Sequence, residues 1–127
     1  MIRIETTTPI PHGVVFLYDP TAKIIDVPED TGAGPVLATA NCISVWTTHD
    51  IEGSTNLVIT DRFDGIGCRL VFEGSVLAQG GKLAFNDSSC DPLIQVQLSG
   101  SVANVAIWTD DADSPSKVVC VASPLIS

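Results

Sequence analysis

Positive charge is scarce in this sequence: six Lys and Arg stand against fifteen Asp and Glu, a formal net charge of −9 at pH 7. A surface of that sign repels phosphate backbones and anionic lipid, both of which need a basic footprint, so direct binding to nucleic acid or to a membrane is not expected. Long apolar runs are missing as well, and none approaches the ~20 residues that cross a bilayer. The opening Met1-Ile-Arg-Ile-Glu-Thr-Thr-Thr carries neither an apolar h-region nor a small-residue cleavage site, so a cytoplasmic location is expected unless a leader has been trimmed. There is no Cys-x-x-Cys pair among Cys42, Cys68, Cys90 and Cys120, and there are only two histidines, which argues against zinc. An even number of cysteines permits two disulfides in an oxidising compartment; in the cytosol the four read as reduced core residues. Neither spacing of a Gly-rich phosphate loop occurs.

What is present is a β protein. Apolar residues make up 45 % and charged residues 17 %, which excludes a disordered chain, and 127 residues suit one domain with one core. Short β-rich runs alternate with turn residues, as in sandwiches and barrels. Ile2-Arg-Ile-Glu-Thr alternates; Val14-Val-Phe-Leu-Tyr is continuously apolar between Pro11-His-Gly13 and Asp19-Pro20. Lys23-Ile-Ile-Asp-Val reads as a strand, followed by a Gly- and Pro-rich loop over residues 28–35. In Cys42-Ile-Ser-Val-Trp-Thr-Thr48 the alternation sets Ile43, Val45 and Thr47 on one face, and Cys42, Ser44 and Trp46 on the other. Asn56-Leu-Val-Ile-Thr60 follows. Cys68-Arg-Leu-Val-Phe72, Val76-Leu-Ala78 and Lys82-Leu-Ala-Phe85 read as a meander broken at Glu73-Gly74 and at Gly80-Gly81, a tight-hairpin signal. Ile94-Gln-Val-Gln-Leu98 is the cleanest alternation; Val102 to Thr109 and Lys117 to Ala122 complete the set. No segment has a convincing 3.6-residue period, and a short helix has room only between Gly34 and Ala40. The expectation is all-β: a single antiparallel β-sandwich of nine or ten strands.

One internal echo stands out. Ile43-Ser-Val-Trp-Thr-Thr-His-Asp and Val105-Ala-Ile-Trp-Thr-Asp-Asp share a pattern, each leading through a polar turn to an apolar strand, which suggests equivalent hairpins or chance similarity among hairpins.

The candidates for chemistry are few. Nucleophilic hydrolysis needs a histidine beside Ser or Cys with an orienting acid; His12 in a Pro-His-Gly turn and His49 at a strand end have no such motif, so catalytic residues are not expected and the chain reads as a non-enzyme without cofactor. Trp46 and Trp108 could stack on a sugar, but their apolar strands favour core or edge packing. Acidic residues cluster in strand-end loops: Asp110, Asp111 and Asp113 in Thr109-Asp-Asp-Ala-Asp-Ser, Asp50 and Glu52 in the echoing loop, and Asp61 and Asp64 flanking another. Carboxylates converging at one end could hold Ca²⁺, although Asp-Asp-Ala-Asp lacks the Gly and distal Glu of an EF-hand; they are also ordinary turn formers.

Gly81-Lys-Leu-Ala-Phe-Asn, Leu93-Ile-Gln-Val-Gln-Leu-Ser-Gly100, Val105-Ala-Ile-Trp-Thr109 and Val118-Val-Cys-Val-Ala, with Leu57-Val-Ile-Thr-Asp-Arg62 upstream, resemble the competence-locus inhibitors of DNA-entry nucleases. The resemblance spans about half of the chain; Ser101-Val102 stand where that family has an aromatic residue after the glycine. It implies a small β-sandwich that inhibits by binding, its acidic surface occluding the DNA-accepting cleft of a basic nuclease in place of phosphate. Asp110, Asp111 and Asp113 would then be the first contacts, with Asp61 and Asp64 behind them. The leading expectation is an acidic protein-binding module for a basic protein partner. The alternatives are a carbohydrate- or calcium-binding module and a structural subunit of an assembly.

Overall fold

Side-chain alternation decides which surface each strand buries, and here it builds two sheets. A computed structural model describes residues 2–29 and 35–126. The described chain forms eleven strands: β1 (Arg3–Thr8), β2 (Val14–Tyr18), β3 (Val36–Ala38), β4 (Ile43–Trp46), β5 (Thr55–Thr60), β6 (Arg69–Leu77), β7 (Lys82–Asn86), β8 (Pro92–Leu98), β9 (Val102–Thr109), β10 (Lys117–Ser123) and β11 (Leu125–Ile126). Sheet one has the order β1-β5-β10-β9-β6 and sheet two β11-β8-β7-β2-β4-β3. This is the all-β sandwich that the sequence predicts.

The core lies between the sheets. Leu57 and Ile59, Ala103, Val105 and Ile107, and Val118 and Cys120 from sheet one meet Val15 and Leu17, Ile43 and Val45, Leu83 and Phe85, and Ile94, Val96 and Leu98 from sheet two. The alternation read in Ile94 to Leu98 holds residue for residue, with Gln95 and Gln97 exposed. Phe85 is among the largest fully buried side chains, and its truncation to Ala would cost about 3–5 kcal/mol.

Several details depart from the sequence reading. β10 pairs with β5 in parallel, Lys117 opposite Asn56 and Val121 opposite Thr60; the other ladders are antiparallel. Glu73-Gly74 does not turn: β6 runs through it, irregular only between Leu70 and Phe72. Gly80-Gly81 links β6 in sheet one to β7 in sheet two, so it is a crossing and not a hairpin. The segment from Lys23 to Val27 is not a strand. Its backbone groups go to side chains instead: Asn41 Oδ1 accepts from the Asp26 amide at 2.9 Å, Asn41 Nδ2 donates to Ile24 O at 3.0 Å, and Thr39 Oγ1 donates to Asp26 O at 2.5 Å. Residues 36–38, where a helix had room, are the short strand β3; residues 30–34 of the Gly- and Pro-rich loop lie outside the described residues. Cys42 and Cys120 are buried, and burial pushes the Cys42 thiol up to about 12. Cys68 is half-buried and Cys90 exposed, so these two are not core residues.

Each sheet also has a strap on its outer side. Residues 61–68 lie across sheet one, where the Phe63 ring meets Trp108 edge-on with centroids 5.8 Å apart. Val58 and Val119, which are not part of the core cluster, are also fully buried. Gly65 adopts a left-handed φ of +82°, and a Cβ there would lie 3.3 Å from the Trp108 ring. On sheet two, Val27 and Pro28 close over Phe16 and Trp46. Both tryptophans are therefore half-buried and lie outside the core, which leaves the edge-packing half of the expectation.

Candidate functional site

The parallel pairing of β5 and β10 is what assembles the acidic end. Because Lys117 lies opposite Asn56, the loops that enter these two strands, residues 47–54 and 110–116, emerge side by side. Hydrogen bonds join them. The Thr48 amide donates to Pro115 O at 2.8 Å and the Asn56 amide to Ser116 O at 2.8 Å. Thr48 Oγ1 lies 3.0 Å from the carbonyl oxygens of both Ser114 and Pro115.

Within the 110–116 loop the carboxylates shape the backbone. Asp110 Oδ1 accepts from the amides of Ser116 and Lys117 at 2.9 and 3.0 Å, and Oδ2 from Ser116 Oγ at 2.6 Å. Asp111 Oδ1 accepts from the amides of Asp113 and Ser114 at 2.8 and 3.1 Å. These two amide bonds favour the charged carboxylate and hold its pKa below the ordinary value. Asp111 Oδ2 and the exposed Asp113 carboxylate take no side-chain hydrogen bond among the described residues.

In the neighbouring loop a 3-10 turn spans Asp50–Glu52, its amide at Ile51 facing His49 Nδ1 at 3.5 Å, while the same Nδ1 lies 2.7 Å from Asp50 Oδ1. Five carboxylates (Asp50, Glu52, Asp110, Asp111 and Asp113) thus share one rim, with Ile51 85 % exposed among them. Ile51 escapes a search for acidic clusters. Its signal was an apolar residue between two acids in a turn, with no strand face to bury it.

The two remaining candidates sit elsewhere. Asp61 lies at the far end of β5, where its Oδ1 accepts from the Ile2 amide at 3.2 Å. Asp64 lies on the strap over sheet one, where its Oδ1 accepts from the Ile66 amide at 3.0 Å. The echo between residues 43–50 and 105–111 does not mark two hairpins: β9 and β10 form one, but β4 and β5 belong to different sheets. Among the described residues no group of three or more His, Cys, Asp or Glu side chains is placed to hold a metal ion. No described helix is long and apolar enough to cross a membrane.

The opposite end holds a carboxylate that the sequence reading left unassigned. Asp19 is fully buried, and its oxygens accept from the Thr21 amide and hydroxyl at 2.8 and 2.6 Å and from the Gly80 amide at 2.6 Å. Burial alone would raise its pKa; the bonds from Thr21 and from the Gly80 amide oppose it, and the pKa lies below the ordinary value.

No protein-family model and no curated protein matches the sequence. The fold itself has a counterpart: over 96 % of this chain and 94 % of that one, it is similar to the crystal structure of ComJ, inhibitor of the DNA degrading activity of NucA, from Bacillus subtilis, with a TM-score of 0.54 and 9 % sequence identity.

Proposed function

We propose that this chain is an acidic protein-binding module of the inhibitor type, and that its rim of carboxylates engages a basic enzyme, in the first place a DNA-degrading nuclease. The observation that supports the reading is the joined pair of loops, one carrying Asp110, Asp111 and Asp113 and the other Asp50 and Glu52. An enzyme that holds DNA must present cations to phosphate. Carboxylates fixed at the end of a rigid sandwich compete for those cations, and part of their ordering entropy is already lost in folding. Asp110 and Asp111 are oriented by the amides they accept, so they serve both the turn and the surface. Ile51 supplies an exposed apolar side chain within a polar surround, as in interfaces with an apolar centre and a polar rim. The fold likeness to a nuclease inhibitor supports the same reading. Asp61 and Asp64, on other surfaces, contact only a partner that extends over sheet one.

The test is capture from the source-cell lysate at low and high salt, with mass spectrometry of what is retained. The expected result is a basic nuclease held at low salt, released at high salt, and not held by the Asp111→Lys/Asp113→Lys variant. Retention that is insensitive to both salt and the double charge reversal would contradict it.

A further inference from the structure

We infer that the shallow groove between β1 and the strap over sheet one is a binding site for a phosphate group, distinct from the acidic rim and independent of its function. In a chain with only six basic residues, three of them, Arg3, Arg62 and Lys117, line this groove. They come from a strand at the sheet edge, from the strap and from the start of β10, so the fold gathers them and no local run does. Phe63, Asp64 and Ile66 complete the lining.

With fifteen acidic residues available, pairing would be the ordinary fate of such cations. Among the described residues only Arg3 is paired, its Nε 3.5 Å from Glu5 Oε1, and Glu5 is shared with Asn56 Nδ2 at 3.3 Å. Arg62 and Lys117 have no described carboxylate within ion-pair distance. Asp64 Oδ1 accepts from the Ile66 amide at 3.0 Å, and its carboxylate is the one acid in the lining. Three cations thus share one concavity with two nearby acids, Asp64 in the lining and Glu5 beside Arg3 and Lys117, so positive charge is in excess there and an oxyanion balances it. Guanidinium groups bind phosphate through paired N–H donors, and a lysine adds a point charge. The net charge of −9 does not forbid this, because charges beyond about 8 Å are largely screened at physiological ionic strength.

The groove, about 660 Å³, is larger than a phosphate and includes the Phe63 ring and Ile66, which is 78 % exposed. A phosphate monoester with a flat apolar body, such as a nucleoside monophosphate, would cover both.

The experiment titrates inorganic phosphate and, separately, adenosine monophosphate into the intact chain, reading thermal unfolding and NMR amide shifts against sodium chloride of matched ionic strength. The expected result is a phosphate-dependent rise in Tm of a few degrees, with shifts around Arg62 and Lys117 and an affinity for the nucleotide about tenfold higher. Arg62→Gln/Lys117→Gln should abolish both responses while keeping the wild-type Tm in chloride; Lys23→Gln/Lys82→Gln, which removes two basic residues outside the groove, should keep them. Equal affinity for the two probes would retain the phosphate site and overturn the apolar wall. No difference between phosphate and chloride, or equal responses in the two double variants, would overturn the site.

Discussion

Asp19 and Asp110 each collect two backbone amides and one hydroxyl on a single carboxylate, at opposite ends of the sandwich. The donors match in kind, amide, amide and Thr or Ser hydroxyl, and so do the distances, 2.6–2.8 Å at Asp19 and 2.6–3.0 Å at Asp110. Exposure separates them: Asp19 is fully buried, Asp110 exposed. At the buried end no water can replace a lost acceptor, so the carboxylate belongs to the fold. At the exposed end water substitutes readily, and the same construction leaves a negative charge displayed to solvent in a fixed position. One sequence device thus yields a structural pin at one end and a presented charge at the other.

The comparison can be broken most severely at Gly80. A Cβ there would collide with Thr21 Oγ1 and approach Asp19 Oδ2 to 2.7 Å, so Gly80→Ala should cost about 3 kcal/mol in urea unfolding. Asp19→Ala strands the Gly80 and Thr21 amides and should cost about 2–3 kcal/mol. Asp110→Ala removes as many bonds, yet its loss should be several-fold smaller; equal losses at the two sites would show that burial is not the deciding difference.

Acid titration sharpens the same contrast. The folded pKa of Asp19 is lowered, so its contribution to stability is fully present above the unfolded value of about 4 and is lost as pH falls from there towards the folded value. Asp19→Asn should therefore flatten the acid limb of the stability curve. The smallest effect on folding is expected at Asp113→Lys, since the Asp113 side chain makes no described hydrogen bond; unfolding should be unchanged while affinity for a basic partner falls about tenfold.

Much of this was legible in the sequence because it is local. The period-two pattern of Ile94 to Leu98 fixed its buried face. The acids of residues 110–113 were visible as a loop. What was not legible joins residues far apart in the chain. The parallel ladder between Asn56 and Lys117 decides which loops are neighbours, and neither segment carries a mark of it. The bond from Gly80 to Asp19 spans 61 positions, so Asp19-Pro20 looked like simple punctuation. Gly80-Gly81 has the chemistry of a hairpin turn, but the sheet to which the next strand adds is chosen by the core, not by the turn. Lys23 to Val27 has strand composition and no partner strand, since side chains of Thr39 and Asn41 take its backbone groups first.

The central claim, that the rim of joined loops inhibits a nuclease by binding it, is tested most directly by DNA degradation. A fixed amount of the captured nuclease, or of NucA, would be incubated with plasmid DNA while this chain is titrated in, alongside Asp111→Lys/Asp113→Lys. The account predicts stoichiometric loss of degradation with the wild-type chain, weakened by added salt, and little or none with the variant. Undiminished degradation at saturating wild-type chain, or equal inhibition by the variant, would contradict it.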